Sequence, residues 1–217
     1  MLVSDVIVLG SGGHARAVVA LAEQSTEKLL VSEYVSKTST DCVPFRDMRF
    51  VSEAEASLQP RSGVILNGIG LSVKIKQRHM AFLTLLEGGY QTASLLSKYA
   101  YIDKNATKGT GIQVFQMAVI QSGSHVGNHA VIGAGAIVEH DAVIGDYSFI
   151  SPGAIILGGA IIEEYVTVFA GATILPGVRI GRGSVVGAGS IVLSDVPRHE
   201  LWVGNPAGRL REVNLDI

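Results

Sequence analysis

The chain has 217 residues, 47% apolar and only 17% charged, with a formal net charge of −2. That charge excludes recruitment of nucleic acid or an anionic membrane surface by bulk electrostatics. A lone cysteine, Cys42, excludes an intrachain disulfide and points to a reducing compartment. The longest uncharged stretch, Tyr147–Ile162, is too short and too interrupted by Pro152 and glycine to span a membrane. With no basic segment ahead of the first glycine turn, the expectation is a cytoplasmic protein without a signal peptide.

The chain opens on an apolar strand, Val6–Leu9, which enters Gly10-Ser-Gly-Gly-His14 and then a helical stretch, Ala15–Gln24. Further strands are predicted at Leu29–Glu33 and at Val64–Asn67, the second closed by Gly68-Ile-Gly70. A helix follows over about Val73–Leu86, and a short strand, Thr92–Leu96, leads out. This alternation indicates a small α/β domain over residues 1–98, with a Rossmann-like parallel sheet. Gly10-x-Gly12-x-x-Ala15, with Glu33 about twenty residues on, fits a dinucleotide fingerprint. The domain is too short for a second mononucleotide half, which argues against an NAD-dependent oxidoreductase. Even so, a glycine turn that opens backbone N–H groups at a helix N-terminus suits an anion. The crevice beyond the strand ends collects Gly12, Gly13, His14, Glu33 and Gly68–Gly70. The alternative is that these glycines serve packing alone.

Residues 99–217 read as a second domain, in which a strict six-residue period is followed by a C-terminal tail. Steps of six from Ile102 to Val192 land on Ile or Val every time except at Lys108. Four positions after each lies Ala, Ser or Val, with Ile112 the exception. An α-helix drifts out of phase with such a period. Short strands joined by identical corners do not, so residues 102–197 are predicted to form a β-helix with three hexads per triangular coil. Coils then stack at roughly 4.8 Å. A glycine often follows the aliphatic, as at Gly127, Gly133, Gly145, Gly181 and Gly187, and is expected to supply positive φ at the corner. A β-sandwich would show irregular spacing instead.

Chemistry centres on histidine, whose imidazole has an ordinary pKa near 6.5 and suits proton transfer at neutral pH. Of the six, His79 falls in the predicted helix and His199 near the C-terminus, while His125 and His129 flank one repeat corner. His14 lies in the glycine turn. His140 follows the inward-pointing Val138 by two residues, so its side chain leaves the coil. Adjacent strand residues point to opposite sides, so Asp141 reaches His140 only if the corner bends the chain. His125, His129 and His140 differ in hexad phase, which argues against a shared metal site, and no metal is expected.

The hexads resemble those of the hexapeptide-repeat acyltransferases, whose parallel β-helix is left-handed. The Gly-Gly-His turn, the small α/β domain and the uninterrupted hexads together resemble the NeuD/PglD-type sugar O/N-acetyltransferases. That resemblance implies acetyl transfer from acetyl-CoA to the C4 amine of a nucleotide-linked 4-amino-4,6-dideoxy sugar in bacterial surface-glycan synthesis. It also implies a homotrimer with active sites between subunits. Val138-Glu-His-Asp141 is similar to the family's aliphatic–x–His–acid segment, which makes His140 the general base in a direct attack and Asp141 the group that raises its basicity. The resemblance assigns Gly12, Gly13, His14, Gly68 and Gly70 to the nucleotide sugar, with Glu33 and Tyr34 where relatives carry paired acids near the base. Acetyl-CoA falls to Phe149, Ala170 and Ala188, and to Pro206 within Gly204-Asn-Pro-Ala207. The chain departs from relatives at Gly133, where several have Asn, and at Phe149, where some have His. Sugar or sialic acid O-acetylation stays open, as does a non-catalytic β-helix binding module, and UDP, GDP and dTDP carriers are not distinguished.

Overall fold

The computed structural model describes residues 6–27, 29–58, 63–70 and 75–213, and the chain divides into two compact units after Leu95. The first contains β1 (Val6–Leu9), α1 (Gly13–Gln24), β2 (Val31–Ser36), β3 (Arg49–Ser52), α2 (Glu53–Leu58), β4 (Val64–Asn67) and α3 (Ile75–Glu87). The four strands form an all-parallel sheet in the order β3-β2-β1-β4. Every residue of β1 is buried, as a central parallel strand requires, which is why it reads as an unbroken apolar run. Helix α1 buries Ala15, Val18, Val19, Leu21 and Ala22, the apolar stripe that three- and four-residue spacing places on one side.

Strand β2 starts later than predicted and runs three residues past Glu33, because pairing with β1 continues to Leu9–Val35. Elements β3 and α2 are not foreseen from sequence. Arg49-Phe-Val-Ser has too little alternation to announce a strand and forms because β2 supplies a partner along Glu33–Ser36. The predicted helix start at Val73 lies outside the described residues. Of the predicted strand Thr92–Leu96 only Leu95–Leu96 is extended, while Gln91 bridges to Val64.

The second unit is a left-handed parallel β-helix of two-residue strands, each pairing with the strand eighteen residues on, as His125 does with Val143. Three faces result. The first carries strands such as Val131–Ile132 and Thr167–Val168, the second Ile137–Val138 and Thr173–Ile174, and the third His125–Val126 and Val143–Ile144. We call the corner after each face the first, second and third edge. The hexad aliphatics from Val114 to Val192 are fully buried. Each such Val or Ile contributes about 1.5–3 kcal/mol, an upper range because unfolded chains already bury some surface. Lys108 sits exposed in the end coil, where no layer covers it. Small buried residues fill the positions four after the aliphatics. Where these are serine, corner carbonyls accept their hydroxyls: Ser148 Oγ donates to Glu163 O at 2.8 Å and Ser184 Oγ to Pro197 O at 2.6 Å.

The corner glycines correct the sequence expectation. Gly127, Gly133, Gly145, Gly181 and Gly187 do not adopt positive φ. They are small because the next coil passes against them: a Cβ on Gly145 would lie 2.6 Å from Glu163 C and Glu164 N. Positive φ belongs to the residue two further on. Glycine such as Gly153 (φ 67°) holds that position in many corners, but Met117, His129, Asp141, Tyr147 and Tyr165 hold it in others. On the third edge three of these side chains stack: His129 on Tyr147 (centroids 4.9 Å apart) and Tyr147 on Tyr165 (5.2 Å). Arg182 lies 5.2 Å above the Tyr165 ring.

Gly145→Ala is expected to destabilise the β-helix by about 3 kcal/mol, as overpacking against backbone does. Gly153→Ala, whose Cβ would meet open space, should cost only about 1–2 kcal/mol of left-handed strain. Denaturant melts of the two variants distinguish these origins. Burial holds the His129 imidazole below its ordinary 6.5, outweighing the upward pull of Asp146. The unfolded chain therefore binds this proton more readily. The contribution of neutral His129 is complete above about pH 6.5 and is lost as pH falls toward the lower folded value. Melting temperature should drop from pH 7 to pH 5 in the wild type and drop less in His129→Gln.

Candidate active site

In the first unit the glycine turn is built by the sheet. Gly10 (φ 101°) ends β1 with its N–H donating to Val35 O at 2.7 Å, and the chain then turns into α1. Gly12 is the N-cap residue of that helix, no side chain caps it, and no acidic residue stands in the first turn. Around Gly12 a Cβ would meet nothing within 4 Å, and at Gly13 only Arg16 Nη2 at 3.8 Å. Both glycines are exposed, so the start of the helix, with the positive end of its dipole, is open to solvent. Gly68 and Gly70 play another part. A Cβ on Gly68 would come 2.7 Å from Leu9 O and 2.8 Å from Ala15 Cβ, and one on Gly70 would come 2.8 Å from His14 Cβ. They let β4 close against β1 and α1 and let His14 pack beside the turn.

Glu33 and Tyr34 are not brought to this turn. Both lie inside β2 rather than at its end, Glu33 level with Ile7 and ion-paired with Arg49 at 3.1 Å. Tyr34 is only 2% exposed, packs against Phe45 and Phe50 (ring centroids 5.0 and 5.5 Å), and its hydroxyl accepts the Thr40 N–H at 3.0 Å. The residues that do stand at the strand ends are Ser36, whose hydroxyl meets Ser11 Oγ at 3.0 Å, and Asn67, whose Oδ1 accepts the Ile69 N–H at 3.1 Å. Reading β2 to its true end would have found Ser36.

In the second unit His140 and Asp141 occupy the second edge. Asp141 has φ 61°, and this left-handed corner removes the strand alternation that would hold the two side chains apart. His140 Nδ1 and Asp141 Oδ2 are 2.9 Å apart. A carboxylate only accepts, so in the neutral ring Nδ1 is the protonated nitrogen and Nε2 carries the lone pair. The pair is seated between glycines of adjacent coils. A Cβ on Gly158, one coil on, would lie 2.7 Å from both Cε1 and Nε2 of His140, and one on Gly123, one coil back, would collide with the Asp141 carboxylate. Backbone bonds fix the same corner: Gly159 N–H donates to His140 O (2.9 Å) and Asp141 N–H to Ser122 O (3.1 Å). The side chains are 67% and 71% exposed, so the pair as a whole is accessible from solvent. This arrangement can accept a proton from a nucleophile.

The other residues assigned to the β-helix lie elsewhere. Ala170 and Ala188 are exposed, stack one coil apart on the first edge, and are joined by the bond from Gly189 N–H to Ala170 O (2.9 Å). Phe149 is buried in the first face, and Pro206 is exposed in the turn of the C-terminal hairpin, which Gly204 N–H ties to Ser190 Oγ (3.0 Å). The register puts none of them on the edge that carries His140. Among the described residues no group of His, Cys, Asp and Glu is arranged to hold a metal ion, and no helix is long and apolar enough to cross a membrane.

Residues 118–158 and 159–194 match the bacterial transferase hexapeptide (six repeats) family. No curated protein matches the sequence. Among solved structures, the chain is similar to the acetyltransferase domain of PglB from Neisseria gonorrhoeae in complex with acetyl coenzyme A, at 25% identity over 95% of this chain and 98% of that one, with TM-score 0.84. WeeI from Acinetobacter baumannii is 25% identical over 95% and 99% of the two chains, with TM-score 0.82. A point mutant of perosamine N-acetyltransferase from Caulobacter crescentus, in complex with CoA and GDP-perosamine, shares the fold at 23% identity, 96% and 98% coverage and TM-score 0.84.

Asp141→Asn should weaken the preference for the Nδ1–H tautomer, seen as a shift of the His140 imidazole nitrogen resonances toward a mixture. Gly158→Ala should produce the same change by pushing the ring off Asp141, with the far-UV circular dichroism unaltered.

Proposed function

We propose that this chain, whose β-helix is a bacterial transferase hexapeptide repeat, is an acetyl-CoA-dependent N-acetyltransferase acting on the C4 amine of a nucleotide-linked 4-amino-4,6-dideoxy sugar. The observation that carries the reading is the exposed His140–Asp141 pair, bonded through Nδ1 so that Nε2 is left for a substrate. The amine nitrogen attacks the thioester carbonyl and Nε2 takes the proton the amine loses; as the C–S bond breaks, the imidazolium returns that proton to sulfur, so that coenzyme A leaves as the thiol and Nε2 is free again. Asp141 keeps the tautomer correct and offsets the charge that develops on the ring. The glycine turn, with open N–H groups at Gly12 and Gly13 beside His14, suits the diphosphate of the carrier. Support comes from the acetyl-CoA and the GDP-linked amino sugar found in similar structures.

The proposal includes a homotrimer, and the same register supports it. The second face is bordered on one side by the edge of Ala170 and Ala188 and on the other by the edge of His140. Four of its outward side chains, Val119, Ile137, Ile155 and Ile191, are apolar and half-buried in the single chain, with Thr173 among them and an exposed Tyr101 in the end coil. A cyclic assembly that buries this face sets the His140 edge of one subunit beside the Ala170 edge of the next, where Ala170, Ala188 and the Pro206 turn line the path for acetyl-CoA.

Thiol release from acetyl-CoA is expected with a UDP-, GDP- or dTDP-linked 4-amino sugar, and His140→Ala should lower kcat/KM by about 10²–10⁴-fold. Activity near wild type in that variant, or turnover of free sialic acid in place of the amino sugars, would sink the assignment. Co-assembled His140→Ala and Ala170→Trp subunits should regain part of the activity that each lacks alone.

A further inference from the structure

The second edge changes character at His140. On its N-terminal side the corners read Asp103-Lys104-Asn105 and Gln121-Ser122-Gly123. Toward the C-terminus they read Leu157-Gly158-Gly159, Leu175-Pro176-Gly177 and Leu193-Ser194-Asp195. The leucine column is apolar, and Leu193 is 53% exposed. On the other side lies a hydrogen-bonded cluster. Asn105 Nδ2 donates to Ser122 Oγ at 3.3 Å, Asn105 N–H donates to Asp103 Oδ1 at 2.8 Å, and Tyr101 Oη donates to Asp103 Oδ2 at 3.2 Å. The Asp103 carboxyl is held below its usual range, first by the Asn105 backbone bond and then by the Tyr101 and Ser122 hydroxyls. The Ser122 bond orients the Asn105 side-chain amide and uses one of its N–H groups, while the Asp103 bond fixes the Asn105 backbone. Its Oδ1 and second N–H have no protein partner among the described residues and face solvent from an exposed corner. A fixed donor beside a fixed acceptor matches sugar hydroxyls, each of which both gives and takes a hydrogen bond.

We propose that the acceptor sugar lies along the second edge on the N-terminal side of His140, with Asn105 hydrogen-bonding its ring hydroxyls, while the acyl donor approaches over the leucine column. The proposal rests on the reading of His140 as the base for an amino sugar. Two coil rises, about 10 Å, separate the corner of Asn105 from that of His140. Because the ring leans toward Gly158, Nε2 lies beyond that span, and an acceptor that reaches both groups passes the Asp141 carboxylate beside Gly123. Ser122 is a positioning residue that holds the amide, and Asp103 fixes the backbone of the same corner. Polar recognition thus falls on the side where the acceptor's hydroxyls need it, and the apolar side is left to a thioester arm.

The test is steady-state kinetics with GDP-perosamine and dTDP-4-amino-4,6-dideoxyglucose, using whichever the wild type acetylates faster. Asn105→Ala should raise the acceptor KM about tenfold and leave the acetyl-CoA KM within twofold. Ser122→Ala should move the acceptor KM in the same direction by less. An unchanged acceptor KM in Asn105→Ala, or an equal rise in both KM values, overturns the subsite while leaving the proposed activity intact. A wild type that acetylates neither sugar overturns the substrate class, and the subsite with it.

Discussion

Stacking of identical coils at about 4.8 Å is the constraint from which the rest of this structure follows. An eighteen-residue register sets every residue above another of the same phase, so each corner is repeated along an edge. Close backbone approach then demands glycine where coils touch most tightly, at Gly133, Gly145 and Gly181. The same stacking turns the edges into columns whose chemistry changes along the axis. One column carries stacked His129, Tyr147 and Tyr165, another the run from Ala170 to Ala188, and the third His140 with Asp141.

The dyad shows how a repeat becomes a site. Its scaffold is the ordinary corner, and its chemistry comes from two departures. Asp141 stands where many coils place glycine and accepts left-handed backbone, at a cost of about 1–2 kcal/mol. That conformation is what allows a residue next to His140 in sequence to reach its Nδ1. Gly158 stands where the next coil has room for the imidazole only without a Cβ. Local strain at Asp141 and local emptiness at Gly158 together hold one ring in one orientation.

The small α/β unit uses glycine in two distinct ways that look alike in sequence. Gly68 and Gly70 are close-packed against β1 and His14, whereas Gly12 and Gly13 stand open at the start of α1. Openness at an uncapped helix N-terminus carries the functional reading, and packing carries none. Glu33 matched a fingerprint by spacing alone. Spacing cannot tell how far a strand runs, and β2 continues past Glu33 because β1 and β3 both offer it partners.

Period alone determined the β-helix, its span and its inward residues, because no other fold keeps aliphatics in phase at every sixth position. It also placed His140 outside the coil. Hexad phase could not say that the corner reverses at the third residue after the aliphatic, so it assigned positive φ to Gly127 and Gly145 when coil contact explains them. Only the tertiary structure decided that Asp141 bonds His140, since that depends on a backbone angle and not on spacing. Tertiary packing likewise sent Tyr34 into the core among Phe45 and Phe50, and formed β3 from a segment with almost no strand signal of its own. Repeating local structure is written in the sequence because each hexad solves the same problem. Contacts between different coils and different strands are not, because they depend on which neighbours the folded chain brings together.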